Sequence, residues 1–195
     1  DLSVRERIRS EMGAKEKIII LYVGRLKKDK GILDLIESFK VLRGKGLKVD
    51  LWIVGPDEED LTSRISSVEG IKQIPYTSQP ESYMASADIF CLPSYREGFG
   101  NVVIESAACG LPSVVNCIYG LTDAVVQGKT GLFAKARSVE SLTISLEELI
   151  TNDNLRLELG NNALERARKY FSQDAHNNLQ IDMYIKLIDQ YSKGT

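Results

Sequence analysis

The run Ile18-Ile19-Ile20-Leu21-Tyr22-Val23 constrains this chain more than any other feature. It is apolar throughout and rich in β-branched residues. It therefore suits a central parallel strand, buried on both faces, rather than an edge strand with one wet face. Gly24 to Gly31 reads as the loop that leaves it. Ile32, Leu35, Ile36, Phe39 and Leu42 then recur at helical spacing, and Gly44 and Gly46 end the helix. The same order repeats. Val49 to Gly55 reads as a second strand, followed by an acidic helix over Glu58 to Val68. Ile71–Ile74 reads as a short third strand with Pro75-Tyr76-Thr77 as its exit, and Pro80 to Ala87 as a helix. Asp88 opens a fourth strand, Ile89 to Leu92. Ser113 to Val115 is a fifth strand, Leu121 to Gln127 a short helix, and Gly131 to Ala134 a sixth strand. Strands alternating with helices through short loops imply an α/β fold: a Rossmann-like, doubly wound parallel sheet of about six strands with right-handed crossovers. Leu2 to Met12 reads as a leading helix, with Ser3 as a cap and Glu6 three residues on. From Ser138 the pattern is helical, with breaks at Thr151-Asn152-Asp153 and Phe171-Ser172-Gln173-Asp174. A single domain over 1–195 is expected, with a core over about 14–170 and a C-terminal helix over about 172–195.

The fourth strand runs into Pro93-Ser94-Tyr95-Arg96-Glu97-Gly98-Phe99-Gly100-Asn101-Val102-Val103-Ile104-Glu105. A glycine-flanked turn there enters a helix. Glu97 lies on the turn and Glu105 about one turn into the helix. A helix N-terminus offers unpaired N–H groups and a partial positive charge to an anion. Gly98 and Gly100 let the backbone approach a ligand, and carboxylates accept bonds from hydroxyls. The arrangement suits a molecule with both phosphate and polyol parts, such as a nucleotide sugar. It equally describes a plain strand–loop–helix with two solvated glutamates. Ligands of doubly wound sheets sit at the carboxyl ends of strands near the reversal of strand order. The loops after strands one, three and four should then share a crevice holding Arg25 and Lys30, Tyr76 and Thr77, and Glu97 to Asn101.

Composition narrows the partners. The net charge of −2 gives no electrostatic case for nucleic-acid binding. Cys91, Cys109 and Cys117 lack metal-ligand spacing and are expected as buried, reduced thiols. No apolar run is long enough for a membrane span and no leader-like segment opens the sequence, so a cytoplasmic protein is expected. His176, the single histidine, lies in a polar stretch and reads as solvated surface. Leu142, Leu146, Leu149 and Ile150 read as core. Leu179, Met183, Ile185, Leu187, Ile188 and Tyr191 form a stripe expected to be partly exposed or paired with another chain.

The Glu97–Glu105 spacing resembles the Glu-x7-Glu signature of retaining GT-B glycosyltransferases of family 4, also called glycosyltransferase group 1. Val23-Gly24-Arg25-Leu26, Asp29-Lys30-Gly31, Ala87-Asp88, Pro93-Ser94 and Gly110-Leu111-Pro112 are similar to that family too. So are Tyr119-Gly120-Leu121-Thr122-Asp123-Ala124-Val125 and Gly128-Lys129-Thr130-Gly131-Leu132, all in the family's order. The resemblance implies the donor-binding half of a GT-B fold. That half would bind a nucleotide-diphosphate sugar, most simply a UDP-sugar. The whole enzyme would move a hexosyl group to a glycan or lipid-linked acceptor in polysaccharide or glycolipid assembly. By resemblance, Arg25 and Lys30 would neutralise the diphosphate, Glu97 would contact the sugar, and Glu105 would hold the ribose. Gly24 and the backbone of Gly98, Phe99, Gly100, Asn101 and Val102 would serve the sugar and phosphates. Tyr76 and Thr77 would lie at the base, although Pro75 stands where many members have glycine and removes a donor. The family implies no metal and no other cofactor. Since the sequence starts at Asp1, an acceptor domain is expected to precede it, and any contact with the inner membrane would run through that domain. Two alternatives remain: a non-catalytic phosphosugar- or nucleotide-binding module, and an enzyme like the UDP-N-acetylhexosamine epimerases. A paired-carboxylate glycosidase would use both glutamates but give Arg25 and Lys30 no purpose.

Overall fold

A computed structural model describes residues 2–14 and 16–193. Strands β1 (Ile18–Val23), β2 (Val49–Val54), β3 (Ile71–Ile74), β4 (Ile89–Leu92), β5 (Ser113–Asn116) and β6 (Gly131–Ala134) form one sheet in the order β3-β2-β1-β4-β5-β6. All the pairings are parallel, with Ile18 opposite Val49 on one edge of β1 and Ile20 opposite Ile89 on the other. The chain begins in the middle, winds out to β3, then returns to lay β4 on the free edge of β1. Strand order therefore reverses between β1 and β4, which opens a crevice at their carboxyl ends.

Nine helices occur among the described residues: α1 (Leu2–Glu11), α2 (Ile32–Gly44), α3 (Thr62–Ile65), α4 (Pro80–Met84), α5 (Asn101–Ala108), α6 (Leu121–Ala124), α7 (Val139–Thr151), α8 (Asp153–Tyr170) and α9 (Gln173–Lys193). Right-handed crossovers toward opposite edges put α2 and α5 on opposite faces of the sheet. α7 packs on α2, and α8 packs on α5. Burial explains the uniformly apolar strands. Tyr22, Phe39, Trp52 and Phe90 are fully enclosed, as is most of β1. β2 is buried along its whole length, Asp50 included. That carboxylate is tolerable because Lys17 Nζ reaches its oxygens at 2.9 and 3.1 Å. Asp88 plays a similar part at the amino end of β4. It accepts from Ile19 N at 2.7 Å and pairs with Arg5 and Arg9 at 2.6 and 3.0 Å, which fastens α1 to the sheet.

Several expectations need correction. The acidic stretch from Glu58 is mostly turn, and α3 is a single helical turn. Asp57 accepts from the amides of Glu59 and Thr62, and Asp60 sits at φ 54°, so side-chain bonds replace helical ones there. α4 and α6 stop at Met84 and Ala124. After α6, Val125 is extended, and Thr130 Oγ1 takes the Val126 amide. Ser3 lies inside α1 rather than capping it, while Asp1 falls outside the described residues. The first loop contains a 3-10 turn, Lys28–Lys30. Cys91 is buried, but Cys109 is only half-buried and Cys117 is exposed. The helical breaks at Asn152 and Phe171–Ser172 occur as expected, and Leu142, Leu146, Leu149 and Ile150 are core. The stripe on α9 is exposed, from Leu179 at 66% to Tyr191 at 85%.

Candidate functional site

The loop after β1 is anchored first. Leu26 is buried and its amide donates to Pro56 O at 2.8 Å, while the buried Tyr22 hydroxyl donates to Arg25 O at 2.7 Å. Burial pushes the Tyr22 hydroxyl's pKa up, and the nearby Glu97 and Asp29 carboxylates push it further. It therefore stays protonated and keeps donating. The 3-10 turn closes at Gly31, whose φ is 68°. A Cβ on Gly31 would run into the Pro93 carbonyl, so glycine is what allows this loop to touch the end of β4.

That contact brings Lys30 to Glu97, 67 positions away in sequence, with Nζ 2.7 Å from Oε1. Each side chain is 16% exposed. Glu97 Oε1 also accepts from the buried Ser94 hydroxyl at 2.9 Å. The turn is held from the other side by Asn116, which sequence reasoning passed over, and by Gly120, which it named only within a family-like motif. Asn116, at the carboxyl end of β5, is buried and donates through Nδ2 to Pro93 O at 2.6 Å and Ser94 O at 3.2 Å. Gly120, at φ 87°, packs directly on the carbonyls of Glu97 and Gly98. Asn116 follows a run of buried apolar residues, and only the pairing of β4 with β5 discloses what its amide faces.

α5 begins after Gly100, which is in the left-handed region at φ 71°, and no side chain caps it. The first-turn N–H groups near Asn101 and Val102 therefore meet no side-chain acceptor from the cap position. Phe99 is itself steadied by Phe171, with ring centroids 5.7 Å apart. Glu105 is exposed on α5 and makes no ion pair among the described residues.

Other expected residues stand further off. Arg25 is 55% exposed and turned to Glu58 at 3.4 Å, next to Gly24. Lys27 is the closer partner of Glu58, at 2.7 Å, and its bond holds the Glu58 carboxyl below the ordinary range. Tyr76 and Thr77 follow β3, the edge strand, about 14 Å from β4 at three strand spacings. Tyr76 is 79% exposed, and the Thr77 hydroxyl accepts only the nearby Gln79 amide among the described residues. His176 is on exposed α9, 3.1 Å from Gln180. No group of three or more His, Cys, Asp or Glu suited to a metal occurs among the described residues. No described helix is long and apolar enough to cross a membrane. A cleft of about 570 Å³ lies elsewhere, against α8 and the turn that enters β6. It faces the amino end of β6, the wrong edge for ligands of such a sheet.

Comparison with known proteins bears on the fold and the family. The capsular polysaccharide biosynthesis glycosyltransferase CapM of Staphylococcus aureus is 35% identical over 80% of this chain and 43% of its own length. The N,N'-diacetylbacillosaminyl-diphospho-undecaprenol alpha-1,3-N-acetylgalactosaminyltransferase of Campylobacter jejuni is 29% identical over 97% of this chain and 49% of its own. Among solved structures, Anabaena HepE in complex with UDP and glucose superposes with a TM-score of 0.84 at 20% identity, over 95% of this chain and 53% of its own. The chain thus spans about half the length of the relatives it matches. The sequence model described as Glycosyl transferases group 1 matches residues 4–166, from α1 through most of α8, and the chain belongs to that family.

Proposed function

We propose that this chain is the donor-binding half of a retaining glycosyltransferase that uses a nucleotide-diphosphate sugar, with a UDP-hexose as the donor. The observation that carries the reading is the Lys30–Glu97 contact at the reversal of strand order, beside an uncapped α5 N-terminus. It sets a cation, a carboxylate and free amides where a diphosphate and a sugar can be held together. In this reading Lys30 leaves Glu97 for the diphosphate. Glu97, still held by Ser94, then accepts from sugar hydroxyls. Arg25 swings from Glu58 to the phosphates, and Lys27 remains to pair Glu58. When the bond from the sugar carbon to the phosphate oxygen breaks, its electron pair goes to the diphosphate. Lys30, Arg25 and the α5 amides stabilise the charge that grows there. Glu105, one turn into α5, takes the ribose hydroxyls. Tyr76 and Thr77 lie far enough along the edge to meet the base.

The names of the relatives support a role in polysaccharide or glycolipid assembly, with a glycan or lipid-linked acceptor. The acceptor domain belongs to the half of the relatives' length that this chain does not span, so this half binds donor without turning it over. The exposed stripe on α9 is suited to contact that domain. Donor binding needs no metal, because the cations that meet the diphosphate are side chains. Calorimetric titration of UDP-, GDP- and ADP-hexoses, with and without EDTA, tests the reading. Binding of the UDP-hexose unchanged by EDTA is expected. Failure of every nucleotide sugar to bind, or a requirement for a divalent ion, would overturn it.

A further inference from the structure

The turn between β4 and α5 is fixed unevenly by its own neighbourhood. Ser94 and Asn116 hold its first half, Pro93 to Glu97. The second half, Gly98 to Gly100, carries two glycines and no side chain that caps α5. Such a backbone has wide conformational freedom. What grips it comes from the far end of the chain. Phe99 meets Phe171, the residue that closes α8, with ring centroids 5.7 Å apart and planes tilted by 51°. The guanidinium of Arg166, also on α8, lies over the Phe171 ring, 4.8 Å from its centroid. The same guanidinium donates to Ala124 O at 2.8 Å and to Asp123 O at 2.7 Å, at the end of α6. The start of α6 returns to the turn. A Cβ on Gly100 would run into the Leu121 side chain, and one on Gly120 into the carbonyls of Glu97 and Gly98. The contacts thus close a loop from the turn through Phe171, Arg166 and α6 back to the turn. Aromatic pairs at this distance, and an arginine over a ring, attract beyond the area they bury.

We propose that Phe171, with Arg166 behind it, is a positioning residue for the donor. Acting through Phe99, it holds Gly98 to Gly100, and with them the first amides of α5, where a diphosphate and a sugar are met. The proposal rests on the donor reading for the ligand and on the contacts alone for the brace. The turn's own motif does not contain it: the family model matches residues 4–166, so Arg166 is its last position and Phe171 lies beyond it. A plain packing role has a different consequence. Loss of the ring would then loosen α8 and lower stability without setting one ligand apart from another.

The test compares wild type with Phe171→Leu, Phe171→Tyr and Phe99→Leu, and with the double variant Phe99→Leu/Phe171→Leu. The end of α8 does not depend on the ring, because the Phe171 amide donates to Ala167 O at 2.9 Å through the backbone. Tyrosine keeps the ring and, at a half-buried position, adds only a hydroxyl. Uridine, UDP and UDP-glucose are titrated calorimetrically. Amide hydrogen exchange is followed in the ligand-free chain at Val103, whose N–H donates to Gly100 O at 2.8 Å, and along β1. Phe171→Leu should weaken UDP and UDP-glucose about threefold to tenfold and uridine by under about twofold. Exchange at Val103 should rise by a similar factor, and less in β1. Phe171→Tyr should restore both. In the Phe99→Leu background, Phe171→Leu should cost under about twofold more in UDP affinity, since the two residues act as one. Unchanged UDP affinity, equal losses for uridine and UDP, or an equal rise of exchange in β1 would each overturn the proposal. So would a Tyr variant as weak as the Leu variant, or a full further loss in the Phe99→Leu background. If wild type binds no nucleotide at all, the donor reading falls. Exchange at Val103, faster in Phe171→Leu and restored in Phe171→Tyr, then still decides whether Phe171 holds the turn.

Discussion

Asn116→Ala should be among the most damaging single changes outside the apolar core. The amide is 2% exposed and spans two carbonyls, Pro93 O at 2.6 Å and Ser94 O at 3.2 Å. Removing it strips a donor from both. Pro93 O is also packed against Gly31, which leaves little room for a replacing water. A buried acceptor left bare costs about 1–3 kcal/mol. The shorter bond counts in full, the longer one in part, and the lost side-chain volume adds a little. The expected destabilisation is about 2–4 kcal/mol. Urea unfolding followed by circular dichroism measures it, as a lower midpoint at unchanged slope. Because Ser94 holds Glu97, affinity for a UDP-hexose should fall more than affinity for UDP. Asn116→Asp sharpens the test. Its carboxylate would face two carbonyl oxygens, which raises its pKa in the folded state above the unfolded value. Such a group favours folding most below the unfolded pKa and loses that contribution as pH rises through the folded one. The Asp variant should therefore lose stability, relative to wild type, between about pH 4 and pH 7. A cost under about 0.5 kcal/mol for the Ala variant, or a flat pH dependence for the Asp variant, would show that other groups satisfy these carbonyls.

Three further outcomes are expected. Lys30→Ala and Arg25→Ala should each weaken UDP binding by about 1.5–3 kcal/mol while uridine binding barely changes; equal losses for both ligands in calorimetry would remove the diphosphate assignment. Glu105→Gln should weaken UDP and UDP-hexose alike, by about 1 kcal/mol or more, whereas Glu97→Gln should mainly weaken the UDP-hexose. An equal loss of UDP in the two variants would sink that division of roles, and a glycosidase would instead lose hydrolysis with UDP binding untouched. Burial by itself would raise the Asp57 carboxyl, but bonds from Thr62, Leu61 and Glu59 hold it at about 2, below the unfolded value. Its contribution is complete above the unfolded pKa and is lost as pH falls through the folded one. The gap in thermal midpoint between wild type and Asp57→Asn should thus close as pH falls from about 5 to about 2, and a gap constant with pH would contradict it.

Much of this molecule was legible in its sequence, and the reason is locality. A strand buried on both faces must be apolar at every position, so Ile18–Val23 declared itself, and with it the parallel α/β class. The turn from Pro93 to Glu105 was equally plain, since the residues that shape a strand-to-helix turn lie within a few positions of one another. The misjudged elements are those where side chains overrule local preference, as Asp57 does ahead of α3. What only the tertiary structure decided is which loops meet. A strand's hydrogen-bonding groups accept any neighbour of suitable length, so no local pattern says that β4 lies on β1 while β3 is exiled to the edge. That choice sets Lys30 on Glu97 and the Asn116 amide on the Pro93 carbonyl, and it leaves Tyr76 three strands away. Such contacts arise when the whole sheet closes, because the groups involved are joined only through the packing of the strands that carry them.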